Sequence, residues 1–133
     1  MIVVDTSVWI DYFKGKESPE VQILDDALGI EAVAIGDLIA LEILQGFKND
    51  KDYKIAKELL SALAVYDMLG GEAALQCADN YRLLRKKGIT IRKTADVIIA
   101  SFCIDHDFPL LFSDKDFQPF VKHLGLKSAA KEK

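Results

Sequence analysis

Cysteine is scarce in this chain. Its 133 residues include only Cys77 and Cys103, and no CxxC pair. Two thiols so far apart supply neither a zinc ligand set nor a disulfide framework, so both are expected to be reduced and buried in a cytoplasmic protein. Proline is also rare, at three residues, and no linker, repeat or low-complexity stretch interrupts the sequence, which excludes a multidomain layout. No run approaches the roughly 18 uncharged apolar residues of a membrane span. The start, Met1 to Asp5, has neither the basic segment nor the cleavage site of an export signal, so no membrane association is expected. An excess of positive charge is missing too: 17 Lys and Arg against 21 Asp and Glu leave a net charge of −4. That excludes a general nucleic-acid-coating protein. It leaves open an acidic metal site acting on nucleic acid, because a bound cation inverts the local charge.

What is present suits a packed core. Half of the residues are hydrophobic and 29% are charged, the balance of a folded domain. A single domain over residues 1–126 is expected, followed by a polar tail over 127–133 whose last residues, from Ser128, fray. Short β-rich runs alternate with longer helical patterns. Ile2-Val3-Val4 is too brief for a helix and apolar on both faces, as a central parallel strand is. Further strands are expected at Val33–Ile35, Val65–Met68 and Pro109–Phe112. Helices are expected from the capping residues Asp5, Thr6 and Ser7 to about Phe13, and from Ser18 with Pro19 at its first position. Others run from Asp37 as cap to near Gly46, and over about 51–63. A long amphipathic helix follows from Glu72, with Leu75, Ala78, Tyr81 and Leu84 on its apolar face. It ends in Arg85, Lys86, Lys87 and a C-cap Gly88. Thr94 caps another through about Ile104, and a short helical segment follows Phe117. Alternation of this kind predicts an α/β fold, a parallel sheet with helices on both faces.

Five carboxylates do not look like solvated helix faces. Asp5 stands where an apolar strand ends, and alone it reads as a helix N-cap. Glu42 lies in the run Leu38 to Leu44, apolar nearly all round, with no basic side chain within four residues; an ionised carboxylate buried there needs a partner or a cation. Asp96 is the one polar residue between Ala95 and Ala100, and singly it complements a helix dipole. Asp114 and Asp116 follow the last strand and singly read as turn residues. Together they point elsewhere. Asp5 and Asp114 sit at carboxyl ends of strands, and Glu42 and Asp96 on helices entered from that same edge, where open parallel sheets bind ligands. Carboxylates converging there raise one another's pKa, and a hard divalent cation, Mg²⁺ or Mn²⁺, resolves the repulsion. Such a site activates water for in-line displacement at phosphorus, which predicts metal-dependent phosphodiester hydrolysis.

In order and spacing, residues 2–11 (IVVDTSVWID), 41–46 (LEILQG), 94–100 (TADVIIA) and 110–117 (LLFSDKDF) resemble the PIN-domain family. Within it they resemble the VapC-type toxin ribonucleases of toxin–antitoxin pairs. The resemblance spans about the whole chain. It implies a three-layer α/β/α fold and an Mg²⁺-dependent endoribonuclease, with Mn²⁺ as substitute. Asp5, Glu42, Asp96 and Asp114 are then the catalytic, metal-holding acids, with Asp116 as accessory ligand. In role terms Asp5 and Asp96 hold the principal metal, Glu42 orients or deprotonates the attacking water, and Asp114 with Asp116 completes the shell or a second metal position. Thr6 and Ser113 stand beside these acids, as hydrogen-bond donors or as cap and turn hydroxyls. The implied partners are an RNA substrate, a cognate VapB-type antitoxin and a second copy of the chain. Phe47 and the helix after it are placed by resemblance at the antitoxin groove.

Arg92 and Lys93 either neutralise an RNA phosphate or form a solvated loop face. His106 and His123 lack neighbours at ligand spacing and read as structural or surface residues, and Trp9, Tyr12 and Phe13 read as core. A haloacid-dehalogenase-type phosphatase needs a second acid two residues after Asp5, and a receiver domain has no use for Glu42. The alternatives retained are an RNA-processing nuclease outside a toxin pair and a PIN-fold binding module of little activity.

Overall fold

A computed structural model describes residues 1–130. Four short strands form one sheet: β1 (Ile2–Val4), β2 (Val33–Gly36), β3 (Ala64–Tyr66) and β4 (Leu110–Leu111). Helices α1 (Thr6–Phe13) and α2 (Pro19–Gly29) join β1 to β2, and α3 (Asp37–Gln45) and α4 (Asp50–Ser61) join β2 to β3. The return to β4 passes through α5 (Gly71–Lys86) and α6 (Thr94–His106), and a 3₁₀ turn at Lys115–Phe117 leads into α7 (Gln118–Leu124). The sheet order is β3-β2-β1-β4, every pair parallel. Steps from β1 to β2 to β3 run one way and the step to β4 runs back past β1. With right-handed crossovers this puts α1–α4 on one face and α5–α7 on the other. Packing agrees, α1 against α2 and α3, and α5 against α6 and α7. The expected three-layer α/β/α architecture is therefore the observed one.

β1 and β2 are apolar because both their faces are covered: Val3, Val4 and all of Val33–Gly36 are buried. Ser18 caps α2 as expected, its hydroxyl accepting from the Val21 N–H at 3.0 Å. Gly88 follows α5 in the left-handed region (φ +85°), with the Ile89 N–H reaching back to the Leu84 carbonyl. Both cysteines are free and buried. No helix among the described residues is long and apolar enough to cross a membrane.

Several local expectations are corrected. Thr94 is the first residue of α6 rather than its cap, a position taken by Lys93 without a side-chain bond. Asp37 likewise lies inside α3 after Gly36; its Oδ1 accepts from the Leu38 N–H and also from the Met68 N–H at 3.1 Å, tying α3 to the segment after β3. β3 starts one residue early and ends before Asp67. On α5 the face toward α6 is Cys77, Asn80 and Leu84, while Leu75 is 71% exposed and Ala78 is exposed as well. Polar Asn80 belongs to that face because Gln76 donates to its Oδ1 (3.0 Å) and it donates to Ser101 (2.9 Å) across the α5–α6 contact. Residues 127–130, expected as tail, pair with β4: the Leu110 N–H donates to the Lys127 carbonyl and the Ala129 N–H to the Leu110 carbonyl. Residues 131–133 of the expected tail lie outside the described residues.

Gly36 marks where β2 meets α3, and a Cβ there would clash with the Met68 side chain. Gly36→Ala must displace Met68 from the core and is expected to lower stability by about 1–3 kcal/mol. Urea titration followed by circular dichroism checks this, and an unchanged midpoint would show that Met68 swings aside freely.

Candidate active site

The strand register gathers the acids. Val3 and Val4 of β1 stand opposite Leu110 and Leu111 of β4, and the Asp5 N–H donates to the Leu111 carbonyl at 2.9 Å. Asp5 is thereby fixed beside the segment leading to Asp114 and Asp116. On its other side β1 pairs with β2, which runs straight into α3 and Glu42. Because β1 lies between β2 and β4, the order of the sheet reverses at Asp5, the switch point at which α/β sheets open a ligand crevice.

Asp5 is only 6% exposed and has extended backbone dihedrals at the head of α1, yet it makes no capping hydrogen bond. Its Oδ2 accepts from the Ser7 hydroxyl at 2.8 Å instead. Burial raises its pKa above the usual carboxylate value; Ser7 and the nearby Thr6 and Ser7 amides counter this, and Glu42 adds to it. Asp96 opens the first turn of α6 and is 7% exposed. Its pKa is raised to about 6, first by burial and then by Asp5, with smaller contributions from Asp114 and Asp116 and relief from Lys93. Its Oδ2 is buried with no hydrogen-bond partner. Oxygens of Asp96, Asp114 and Asp116 lie within 4.8 Å of one another. Asp114 is also a turn residue, its Oδ1 accepting from the Asp116 N–H at 2.9 Å.

Glu42 corrects the premise on which it was singled out. α3 is not buried all round: Leu41 is 59% exposed and Glu42 itself is half-buried. Its Oε1 accepts from the Thr6 hydroxyl at 2.8 Å, so Thr6 serves as a donor to a carboxylate. Ser113 is exposed. Arg92 reaches Asp116 (Nη2 to Oδ2 3.1 Å, to Oδ1 3.5 Å), whereas Lys93 affects Asp96 through space. His106 stacks on Phe102, away from the acids, with its Nδ1 3.0 Å from the Phe102 carbonyl. Sequence reasoning missed the Ser7–Asp5 bond and the Arg92–Asp116 pair. The first was signalled by a hydroxyl two residues after a strand-end acid; the second joins residues 24 apart and had no local signal.

A cluster of hard oxygen donors, one of them buried and unpaired, fits a divalent cation. A PIN-domain family profile matches residues 2–121. The chain belongs to the PIN-domain family. It is 33% identical over 135 aligned residues to a VapC ribonuclease of Mycobacterium bovis, covering 98% of each chain. It is 34% identical to ribonuclease VapC1 of Methanocaldococcus jannaschii, covering 95% of this chain and 85% of that one. Among solved structures, VapBC2 of Rickettsia felis bound to a promoter DNA fragment superimposes with a TM-score of 0.76 at 18% identity, over 99% of this chain and 100% of that one. FitAcB of Neisseria gonorrhoeae gives 0.71 at 19%, over 96% of each. The fold of this PIN domain is thus shared well beyond detectable sequence likeness.

The raised pKa of Asp96 has a consequence for the metal-free protein. Between the ordinary value of 3.8 and about 6 the folded state holds more protons than the unfolded state. Stability therefore falls as pH rises through that window. Asp96→Asn removes this loss: at pH 7.5 the metal-free variant is expected to be more stable than the parent by on the order of 1–2 kcal/mol, and near pH 4 the two converge. Thermal melts in EDTA across pH 4–8 measure the difference, and a gap independent of pH would contradict it.

Proposed function

We propose that this PIN domain is a divalent-metal-dependent endoribonuclease, the toxin of a VapBC-type toxin–antitoxin pair, that hydrolyses RNA phosphodiester bonds. The buried, unpartnered Asp96 Oδ2 among neighbouring carboxylates carries the reading. Near full-length likeness to proteins named VapC ribonucleases supports the substrate class. Asp5 and Asp96 would hold the principal cation, Mg²⁺ with Mn²⁺ as substitute, and Asp114 and Asp116 would supply further oxygen ligands. When bound, the cation supplies Lewis acidity and stabilises charge developing on the phosphoryl oxygens. Ser7 fixes the rotamer of Asp5 through their 2.8 Å bond. Glu42 would take the proton of the attacking water, with one of its carboxylate oxygens held by the Thr6 hydroxyl. Arg92 and Lys93 neutralise the RNA backbone at the mouth of the site. A cytoplasmic location belongs to the same reading.

Two apolar surfaces fit the expected protein partners. A groove of about 650 Å³ between α1, α3 and α4, lined by Ile10, Phe13, Ile43 and Phe47, fits an amphipathic antitoxin helix. A smaller one of about 300 Å³, lined by Leu38, Leu41, Leu69 and Ile98, is in this reading part of the contact with a second copy of the chain. Leu41→Asp is expected to give a monomer that still binds antitoxin. Phe47→Asp is expected to keep the dimer and lose antitoxin; sedimentation with and without antitoxin separates the two, and indifference to either change would unseat that surface.

Cleavage of a pool of structured RNAs by antitoxin-free protein tests the activity. Cutting is expected with Mg²⁺, none with EDTA, and a loss of about 100-fold or more in Asp96→Asn. Glu42→Gln should lose about 100-fold in kcat while still binding metal. RNA bound but left intact in every metal would establish a binding module instead.

A further inference from the structure

The acids of the site are not held alike. Asp5 accepts from the Ser7 hydroxyl, Glu42 from the Thr6 hydroxyl and Asp114 from a backbone N–H. Each of these donors is neutral, engages one oxygen and leaves the carboxylate its full charge. Asp116 differs: a single Arg92 nitrogen spans both its oxygens, at 3.1 and 3.5 Å. It is the one member of the Asp96–Asp114–Asp116 trio whose charge is cancelled by a direct ion pair among the described residues.

The two partners are unequally placed. The Arg92 side chain is 77% exposed and that of Asp116 24%. Buried Ile91 anchors the loop just before Arg92, and Lys93 then stands at the N-cap position of α6, so the backbone is held while the guanidinium lies open to solvent. An ion pair with so exposed a cation is weak and quickly broken. A guanidinium also binds a phosphodiester as well as it binds a carboxylate, through the same fork of N–H groups.

Resting on the nuclease reading above, we infer that Arg92 is an internal cation that competes with the divalent ion for Asp116. In the metal-free protein it occupies both Asp116 oxygens and relieves the repulsion of the cluster. When an RNA phosphate draws the guanidinium away, Asp116 becomes available to the cation. RNA binding and metal loading then favour each other, as linkage requires of two ligands that displace the same contact. Arg92 is by this account a positioning residue, acting through Asp116.

Mn²⁺ titration of the RNA-free protein, with unbound Mn²⁺ read by electron paramagnetic resonance, tests this without catalysis. Parent, Arg92→Ala, Asp116→Asn and the double variant are compared at fixed ionic strength, each with its melting curve as a folding control. Arg92→Ala is expected to tighten Mn²⁺ roughly two- to fivefold, the worth of an exposed ion pair. In the Asp116→Asn background the same change should do nothing, because the contested ligand is gone. Equal tightening in both backgrounds would mean that Arg92 acts by its field alone, and no tightening in either would make it a surface ion pair; each result overturns the competition. Absence of Mn²⁺ uptake by all four proteins would remove the metal site, and with it the proposal.

Discussion

Carboxylates gathered at one sheet edge repel one another, and the rest of this structure is organised around tolerating that repulsion. Asp5 and Asp96 are both buried and both titrate above the ordinary range. Neither can move off. Asp5 is bonded through its backbone to β4 and stands at the end of a strand buried on both faces. Asp96 lies in the first turn of a helix whose residues from Asp96 to Cys103 are almost all buried. The apolar layers that pin these elements, including Trp9, Ile39, Phe117 and Phe120, offset the cost of holding the acids in place. A fold free to relax would spread them apart; a divalent cation turns the same arrangement from a liability into a binding site.

Neutral donors make the arrangement specific. The Thr6–Glu42 bond links α1 to α3, and the Asp114–Asp116 turn sets the second pair of acids at the end of β4. Deeper in, burial and the proximity of Asp5 push the Cys103 thiol up to about 12. That thiol therefore stays uncharged beneath the acids.

The order of strands and helices was legible because each strand is a short β-branched or apolar run with turn or capping residues after it, and period decides between the two element types. The acids were legible because a carboxylate next to such a run is out of place. Local rules failed where a side chain had a distant alternative. Asp37 has the chemistry of a helix cap, yet its carboxylate also reaches the Met68 N–H, 31 residues on, after the neighbouring strand β3. Asn80 entered the buried face of α5 because Ser101 satisfies it from α6, and Leu75, apolar but on the wrong side, stayed in solvent. Glu42 was singled out on the supposition of a buried helix, and the structure gives it an open flank and a hydroxyl partner instead.

By itself, the sequence determined the fold class, the family and which carboxylates stand at strand ends and helix starts. The fold class and the positions of the acids follow from composition and period along the chain, and the family from the resemblance of four segments; none of these needs knowledge of what packs on what. Only the tertiary structure decided that three of the acids share one 4.8 Å neighbourhood, that Asp96 keeps an unpaired oxygen, and that Arg92 spans Asp116. These depend on the register of β1 between β2 and β4 and on side chains meeting from segments far apart. The strength of an electrostatic contact is set by distance and burial in space, and neither is written in the spacing of residues along the chain.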